Sequence, residues 1–161
     1  MEKFEIKRVT LQDADFLFSL MNNPLLLDRL NEAPTTNQDW VEAVLAWESD
    51  PDENGYIIWK DEKQIGWFAF NGLLSADRVP YLKMAVILPE YQNKGIGTAV
   101  LIKLLATLCE KGFRSVKLIT NQDNTKAQKC YLKCGFRIVD IIEDNKRDDT
   151  IAMRCIMECK L

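Results

Sequence analysis

The chain has 161 residues, 47% hydrophobic and 28% charged, which suits one domain over 1–161 whose core needs neither disulfides nor a structural metal. Lys plus Arg number 21 against 24 Asp plus Glu, and this net charge of −3 offers no basic stripe for a phosphate backbone, so direct nucleic-acid binding is not expected. The complete lack of histidine removes every Ser-His-Asp and Cys-His mechanism and every His-ligated metal site.

The predicted elements begin with a strand at Phe4–Val9, after which Thr10 and Asp13 cap a helix over Leu11–Met21. Asn22, Asn23 and Pro24 break it, and the chain then reads as loop or short helix until Thr36 and Asp39 open a second helix over Asp39–Trp47. The cluster Asp50–Gly55 turns the chain into a hairpin, Tyr56–Lys60 and Gln64–Asn71, followed by a strand at Tyr81–Leu88 that Pro89 stops. Gly97–Lys111 is a helix with Leu101, Leu104, Leu105 and Leu108 on one face, ended by Gly112. Ser115–Thr120 reads as a buried strand, Asn124–Lys133 as a helix closed by Gly135, and Phe136–Ile142 and Thr150–Glu158 as the last two strands. The order predicts a single α/β (α+β) domain with a mixed, mostly antiparallel sheet of six to seven strands and about four helices.

Five cysteines, Cys109, Cys130, Cys134, Cys155 and Cys159, are an odd set for a disulfide framework, and Met1–Thr10 is charged where a secretory leader is apolar. Both features predict a cytoplasmic setting. No apolar run approaches the roughly 18 residues of a membrane span, so no membrane partner is expected.

The richest strand-to-helix handover is Pro89–Thr98, which carries Gln92-x-x-Gly95-x-Gly97. Two glycines there let backbone N–H groups converge at the positive end of the following helix, an arrangement suited to a pyrophosphate. Val100 stands where a dinucleotide fingerprint has its third glycine, and the Lys and Ser/Thr of a Walker loop are missing. The same glycines also suit a sharp turn with no ligand. Further on come Asn124-x-x-Ala127-x-x-x-Tyr131-x-x-x-Gly135-Phe136. Seven helical residues return to within about 20° of one face, some 10 Å along the axis, so Asn124 and Tyr131 can address one extended ligand, although an aromatic at this position also packs well against a sheet.

In these two signatures and their order the sequence resembles the GNAT superfamily of N-acetyltransferases, over Tyr81–Val139 most specifically and over the whole domain in plan. The resemblance implies acetyl-CoA as cosubstrate and no metal. It implies that the backbone of Ala85, Val86 and Ile87 pairs with the pantetheine arm, that Gln92, Asn93, Lys94, Gly95, Ile96, Gly97 and Thr98 hold the pyrophosphate, and that Asn124 contacts the cofactor. Tyr131 is implied beside the acetyl-CoA sulfur as general acid, with a backbone N–H near Val86 or Ile87 polarising the acetyl carbonyl.

One departure stands out: where many relatives carry a glutamate five residues before the Asn, this chain has Ile119. Loop carboxylates Glu32, Asp39 and Glu53, or ordered water, remain as routes for the proton. A site without an evident base suits a weakly basic amine, since an α-amine with a pKa near 7.8 is about 14% neutral at pH 7 and a lysine amine far below 1%.

Leu11-x-Asp13-x-Asp15, Asn23-Pro24 and the Trp40 helix resemble the branch of ribosomal-protein N-terminal acetyltransferases, which implies a protein N-terminus as acceptor. A polyamine, amino sugar or amino acid is the alternative, and an acyl-CoA-binding module without turnover a second. By resemblance Leu25–Pro34 and Leu73–Val79 border the acceptor site, with Trp40, Trp59 or Trp67 available to line it although the core is the commoner place for a Trp, and the protein is a monomer or homodimer. Cys130 with Cys134 and Cys155 with Cys159 evoke a tetrathiolate metal site, but this spacing is not that of a zinc knuckle. Glu143-Asp144 and Asp148-Asp149 around Lys146-Arg147 read as a solvated charged turn, with steering of a cationic amine as the alternative.

Overall fold

A computed structural model describes residues 3–30, 32–145 and 149–161. The chain runs through β1 (Glu5–Arg8), a short 3-10 turn, α1 (Ala14–Met21), α2 (Pro24–Leu30), α3 (Asn37–Glu48), β2 (Asn54–Lys60), β3 (Lys63–Asn71), β4 (Tyr81–Ile87), α4 (Ile96–Glu110), β5 (Ser115–Asn121), α5 (Thr125–Lys133), β6 (Phe136–Asn145) and β7 (Ile151–Lys160). The strands form one sheet in the order β1-β2-β3-β4-β5-β7-β6. Every neighbouring pair is antiparallel except β4 and β5.

Side-chain capping sets the helix starts. Asp13 Oδ2 accepts from the Thr10 N–H at 2.7 Å and closes the entry to α1, while its Oδ1 accepts from Gln64 Nε2 at 2.6 Å and ties that entry to β3. Thr36 and Asp39 form the expected reciprocal box at α3, and its two backbone and side-chain bonds hold the Asp39 carboxyl below the usual range. The stretch expected as loop or short helix contains α2: Pro24 occupies its first turn, and Asn23 Oδ1 accepts the Leu25 N–H at 2.9 Å. Proline breaks a helix interior but suits a helix start, so α2 raises the helix count from about four to five. Lys146, Arg147 and Asp148 of the last hairpin turn lie outside the described residues.

Helices cover both faces. On one, α4 lays Val100, Leu104 and Leu108 on Phe68, Phe70, Leu118 and Met157. On the other, α1 and α3 lay Leu17, Leu20, Trp40 and Val44 on Ile57, Trp67, Ala69 and Val86. Trp67 is gripped edge-on by Trp40, ring centroids 5.5 Å apart, and stacked by Trp47 at 5.6 Å. Trp40 and Trp67 are core and Trp59 packs against their cluster, and none of the three lines the main cleft, so of their two readings the core one holds. Leu73–Val79 does not line it either: Asp52 carboxylate oxygens accept the N–H groups of Gly72 at 3.0 Å and Leu74 at 2.7 Å and hold that loop elsewhere.

The sheet parts at β4. Ala69 pairs with Met84 and Phe70 with Leu82, so Lys83 is an extra residue, a bulge that twists the strand. Beyond it β4 leaves β5, and Tyr81↔Lys117 is the one paired position between the two.

Candidate active site

The parting of β4 and β5 opens a cleft of about 810 Å³ that passes through the sheet. On the α4 side its walls are β4, the 91–98 segment, the start of α4 and the inner face of α5; on the α1 side they include Leu26, Glu32, Lys83, Met84, Ile119 and Arg154.

The glycine turn is built as its sequence suggests, with a division of labour. Asn93 at φ 63° and Gly95 at φ 79° take the left-handed conformations that swing the chain into α4. Gly97 does not, and a Cβ there would meet only Ile87 Cγ1 at 3.9 Å. The turn accounts for Gly95 but not for Gly97, whose bare backbone faces the cleft. The helix ladder begins with Ala99 N–H to Gly95 O at 3.1 Å, so the amides of Ile96, Gly97 and Thr98 precede it at the positive end of a 15-residue helix. Lys94 is absent from the cleft wall; its Nζ lies over the Tyr91 ring, 5.8 Å from the centroid. Gln92 braces the site, donating to the Ile87 carbonyl at 2.8 Å and accepting from Lys126 Nζ at 3.3 Å.

Alternation separates the three β4 residues. Leu88 N–H bonds Ile65 O at 2.8 Å, so every second residue back along β4 bonds β3: Val86 and Met84 do, while the backbone groups of Ala85 and Ile87 point into the gap. Val86 therefore drops out as a source of the polarising N–H, and Ile87 remains.

Asn124 is not in α5 but one residue before it, and its Oδ1 caps the Ala127 N–H at 3.3 Å. The helical-face argument for it fails for that reason, although Asn124 and Tyr131 line the same cleft. Tyr131 packs its ring against Phe136, centroids 6.0 Å apart. Burial, reinforced by the neighbouring Cys130 and Cys134 sulfurs, pushes its hydroxyl up to about 12, so Tyr131 is a proton-bearing donor throughout the neutral range. Sequence reasoning missed Lys126, Lys129 and Lys133, which line the cleft from one stripe of α5. Their i, i+3, i+7 spacing was the signal.

Ile119 stands in the cleft at 44% exposure, so β5 is buried on one face only, and no carboxylate replaces it on that strand. Of the three loop acids, Asp39 is used as a cap, Glu53 grips Lys83 at 3.1 Å, and Glu32 lines the cleft. Arg154, also in the wall, pairs with Asp144 at 3.2 Å. Among the described residues no three Cys, Asp or Glu side chains gather as a metal site.

The model of the acetyltransferase (GNAT) family matches residues 20–136, nearly three quarters of the sequence. The chain belongs to that family. It is 40% identical over 62 residues to the uncharacterized N-acetyltransferase Rv2669 of Mycobacterium tuberculosis, covering 38% of this chain and 40% of that protein. It is 35% identical over 77 residues to the [ribosomal protein bS18]-alanine N-acetyltransferase of Haemophilus influenzae, covering 44% of this chain and 52% of that protein. The chain thus spans about half the length, or less, of these curated relatives. In fold it is similar to spermidine N-acetyltransferase from Vibrio cholerae in complex with CoA and spermine, with a TM-score of 0.88 at 18% identity over 98% of this chain and 95% of that one. It is similar also to AAC(6')-Ib in complex with paromomycin and acetyl-CoA, with a TM-score of 0.80 at 20% identity over 99% and 94%. Among the described residues no helix is long and apolar enough to cross a membrane.

Proposed function

We propose that the protein transfers the acetyl group of acetyl-CoA to a primary amine by direct attack. The observation that carries this reading is Gly97, bare toward the cleft where neither its φ nor a neighbour requires glycine. Its role is the close approach of a pyrophosphate to the amides of Ile96, Gly97 and Thr98, with Asn93, Gly95 and Gln92 shaping the loop and the α5 lysines supplying positive charge. Lys94 contributes its backbone to that loop. The pantetheine arm pairs like an added strand with the backbone groups of Ala85 and the N–H of Ile87, whose carbonyl is held by Gln92, while Val86 holds the strand in place and Asn124 fixes the start of α5 beside the arm.

A neutral amine entering from the α1 side attacks the acetyl carbon, the Ile87 N–H stabilises the oxygen, and the C–S bond breaks as the amide forms. Tyr131 donates to the departing sulfur. With its pKa pushed up to about 12 against roughly 8.5 for a thiol, complete proton transfer would be uphill by about 5 kcal/mol, so Tyr131 acts as a hydrogen-bond donor and the thiolate takes its proton later. The acceptor that suits a strand bearing Ile119 is a weakly basic α-amine such as a protein N-terminus, in line with the activity of the Haemophilus influenzae relative. A small polyamine or amino sugar is the second reading, favoured by Glu32 at the acceptor end and by the spermidine and aminoglycoside enzymes that share the fold. Five unpaired thiols suit a reducing compartment, and we place the protein in the cytoplasm.

Calorimetry with acetyl-CoA tests the reading. Micromolar binding is expected, lost by at least 100-fold in a folded Gly97→Trp protein, followed by turnover with N-terminal peptides or free amines. Absence of binding to acetyl-CoA and longer acyl-CoAs would remove the transferase reading; tight binding with no acceptor turned over would leave an acyl-CoA-binding module.

A further inference from the structure

Two thiols of α5, one on the wall of the cleft and one a helical turn beyond it, have no part in acetyl transfer. Cys130 lines the cleft from α5, its sulfur hydrogen-bonded at 3.2 Å to the hydroxyl of Thr98 in the first turn of α4. Cys134, one turn on, directs its thiol at the Thr98 carbonyl, 3.7 Å away, so one residue holds both sulfurs in a small volume. Residues four apart on a helix have Cα atoms about 6 Å apart, within disulfide range, but Cβ atoms about 5–6 Å apart, so closing the bond requires the last turn to open. Cys134 is the C-cap of α5, its N–H bonded to the Cys130 carbonyl at 3.2 Å and followed by Gly135 at φ 101°, so only the terminal turn of the helix has to give.

We propose that Cys130 and Cys134 form a thiol–disulfide switch on the cofactor cleft, in which Cys130 attacks a low-molecular-weight disulfide and Cys134 resolves the product. In the first step the Cys130 thiolate bonds to one sulfur of the small disulfide, whose S–S bond breaks and releases one small thiolate. In the second, the Cys134 sulfur, having lost its proton to solvent, attacks the Cys130 sulfur and expels the second small thiolate. The two cysteines are oxidised and one small disulfide is reduced to two thiols.

The groups around Cys130 prepare it for the first step. The Cys134 thiol, the Thr98 hydroxyl and the Lys133 charge bring it down to about 6, while Cys134 is pushed up by Cys130 and burial. Tyr131 beside the pair stays neutral, and Cys159, whose thiol donates to the Cys134 carbonyl at 3.6 Å, adds to the rise at Cys134. At pH 6 about half of Cys130 is thiolate against roughly 0.3% of an ordinary thiol. After the lower nucleophilicity of a weaker base is subtracted, an advantage of about tenfold remains. Closing the disulfide removes both bonds to Thr98 and draws α5 out of place beside Tyr131, which weakens cofactor binding. This last consequence rests on the acetyltransferase reading; the thiol chemistry does not.

Reduced protein is incubated at pH 6 with oxidised glutathione, quenched with iodoacetamide and mapped by peptide mass. Expected is modification at Cys130 about tenfold faster than at the exposed Cys109, ending as a Cys130–Cys134 disulfide in wild type and as a glutathione mixed disulfide on Cys130 in Cys134→Ser, both reversed by dithiothreitol. Equal or faster reaction at Cys109, or a mixed disulfide elsewhere in Cys134→Ser, overturns the proposal. Oxidised protein should bind acetyl-CoA at least tenfold more weakly than reduced protein; equal affinity overturns the switch. If reduced protein binds no acetyl-CoA, the acetyltransferase reading fails while the mapped disulfide still decides the thiol chemistry.

Discussion

On its β3 side β4 is closed, with six positions paired from Asn71↔Tyr81 to Gly66↔Ile87; on its β5 side it pairs once, at Tyr81↔Lys117, and then opens. One strand carries both seams because its period is two: Val86 and Met84 spend their backbone groups on β3, while those of Ala85 and the N–H of Ile87 are left for whatever enters the gap. A glycine at each seam shows what the difference means. At Gly66 a Cβ would stand 2.6 Å from the Val86 carbonyl oxygen and 2.7 Å from Ile87 Cδ1; at Gly97 it would meet nothing closer than 3.9 Å. The first glycine answers to the fold; the second has no such neighbour and is the one the proposed cofactor reading uses.

Chemistry at the open seam gives the largest effect. Tyr131→Phe keeps the ring contact with Phe136 and removes the hydroxyl that the proposed mechanism sets against the leaving sulfur, so on that proposal kcat should fall about 100-fold with acetyl-CoA affinity nearly unchanged, read by steady-state kinetics and calorimetry. A loss below threefold would remove Tyr131 from the mechanism. The same residue has a signature in stability. Below pH 10 tyrosine is protonated in both folded and unfolded chains; between 10 and the folded value of about 12 only the unfolded chain ionises, so stability falls as pH rises. Tyr131→Phe escapes that loss, and its stability relative to wild type should climb by about 3 kcal/mol across this window in denaturant titrations.

The two glycines sharpen the comparison at a smaller scale. Gly66→Ala forces the β3–β4 backbone apart and should cost about 2 kcal/mol in denaturant unfolding. Gly97→Ala, in a helix and in open space, should be neutral or stabilising by about 0.5 kcal/mol while weakening acetyl-CoA several-fold. Equal stability losses at both positions would erase the distinction between the seams.

Legibility in the sequence divides along the same line. Strand and helix order was readable because Leu101, Leu104, Leu105 and Leu108, or Trp40 and Val44, repeat with helical spacing and bury what they predict. The glycine turn was readable because a sharp strand-to-helix turn needs particular residues close together in sequence, Gly95 for its φ, whereas Asn124 read as the first helical residue and is the cap before it. The acceptor end was not readable. Leu26, Glu32, Met84 and Arg154 meet there from separate stretches of chain with no spacing to announce them, and the bulge at Lys83 that opens the cleft lies in a run of ordinary strand residues. The tryptophans were legible as core residues, since large aromatics usually pack, and Trp67 between Trp40 and Trp47 does so.

The acceptor end can be probed through Glu32, the loop carboxylate that the fold leaves on the cleft wall. A carboxylate there attracts a protonated amine but, with no side-chain partner among the described residues to aim it, makes an inefficient base. Glu32→Gln should therefore raise the KM for a cationic acceptor about threefold and leave kcat within a factor of two, with the effect fading as salt screens the charge. A fall of about 100-fold in kcat instead would make Glu32 the base that Ile119 cannot be, and the acceptor would then include strongly basic amines that a site relying on solvent leaves protonated.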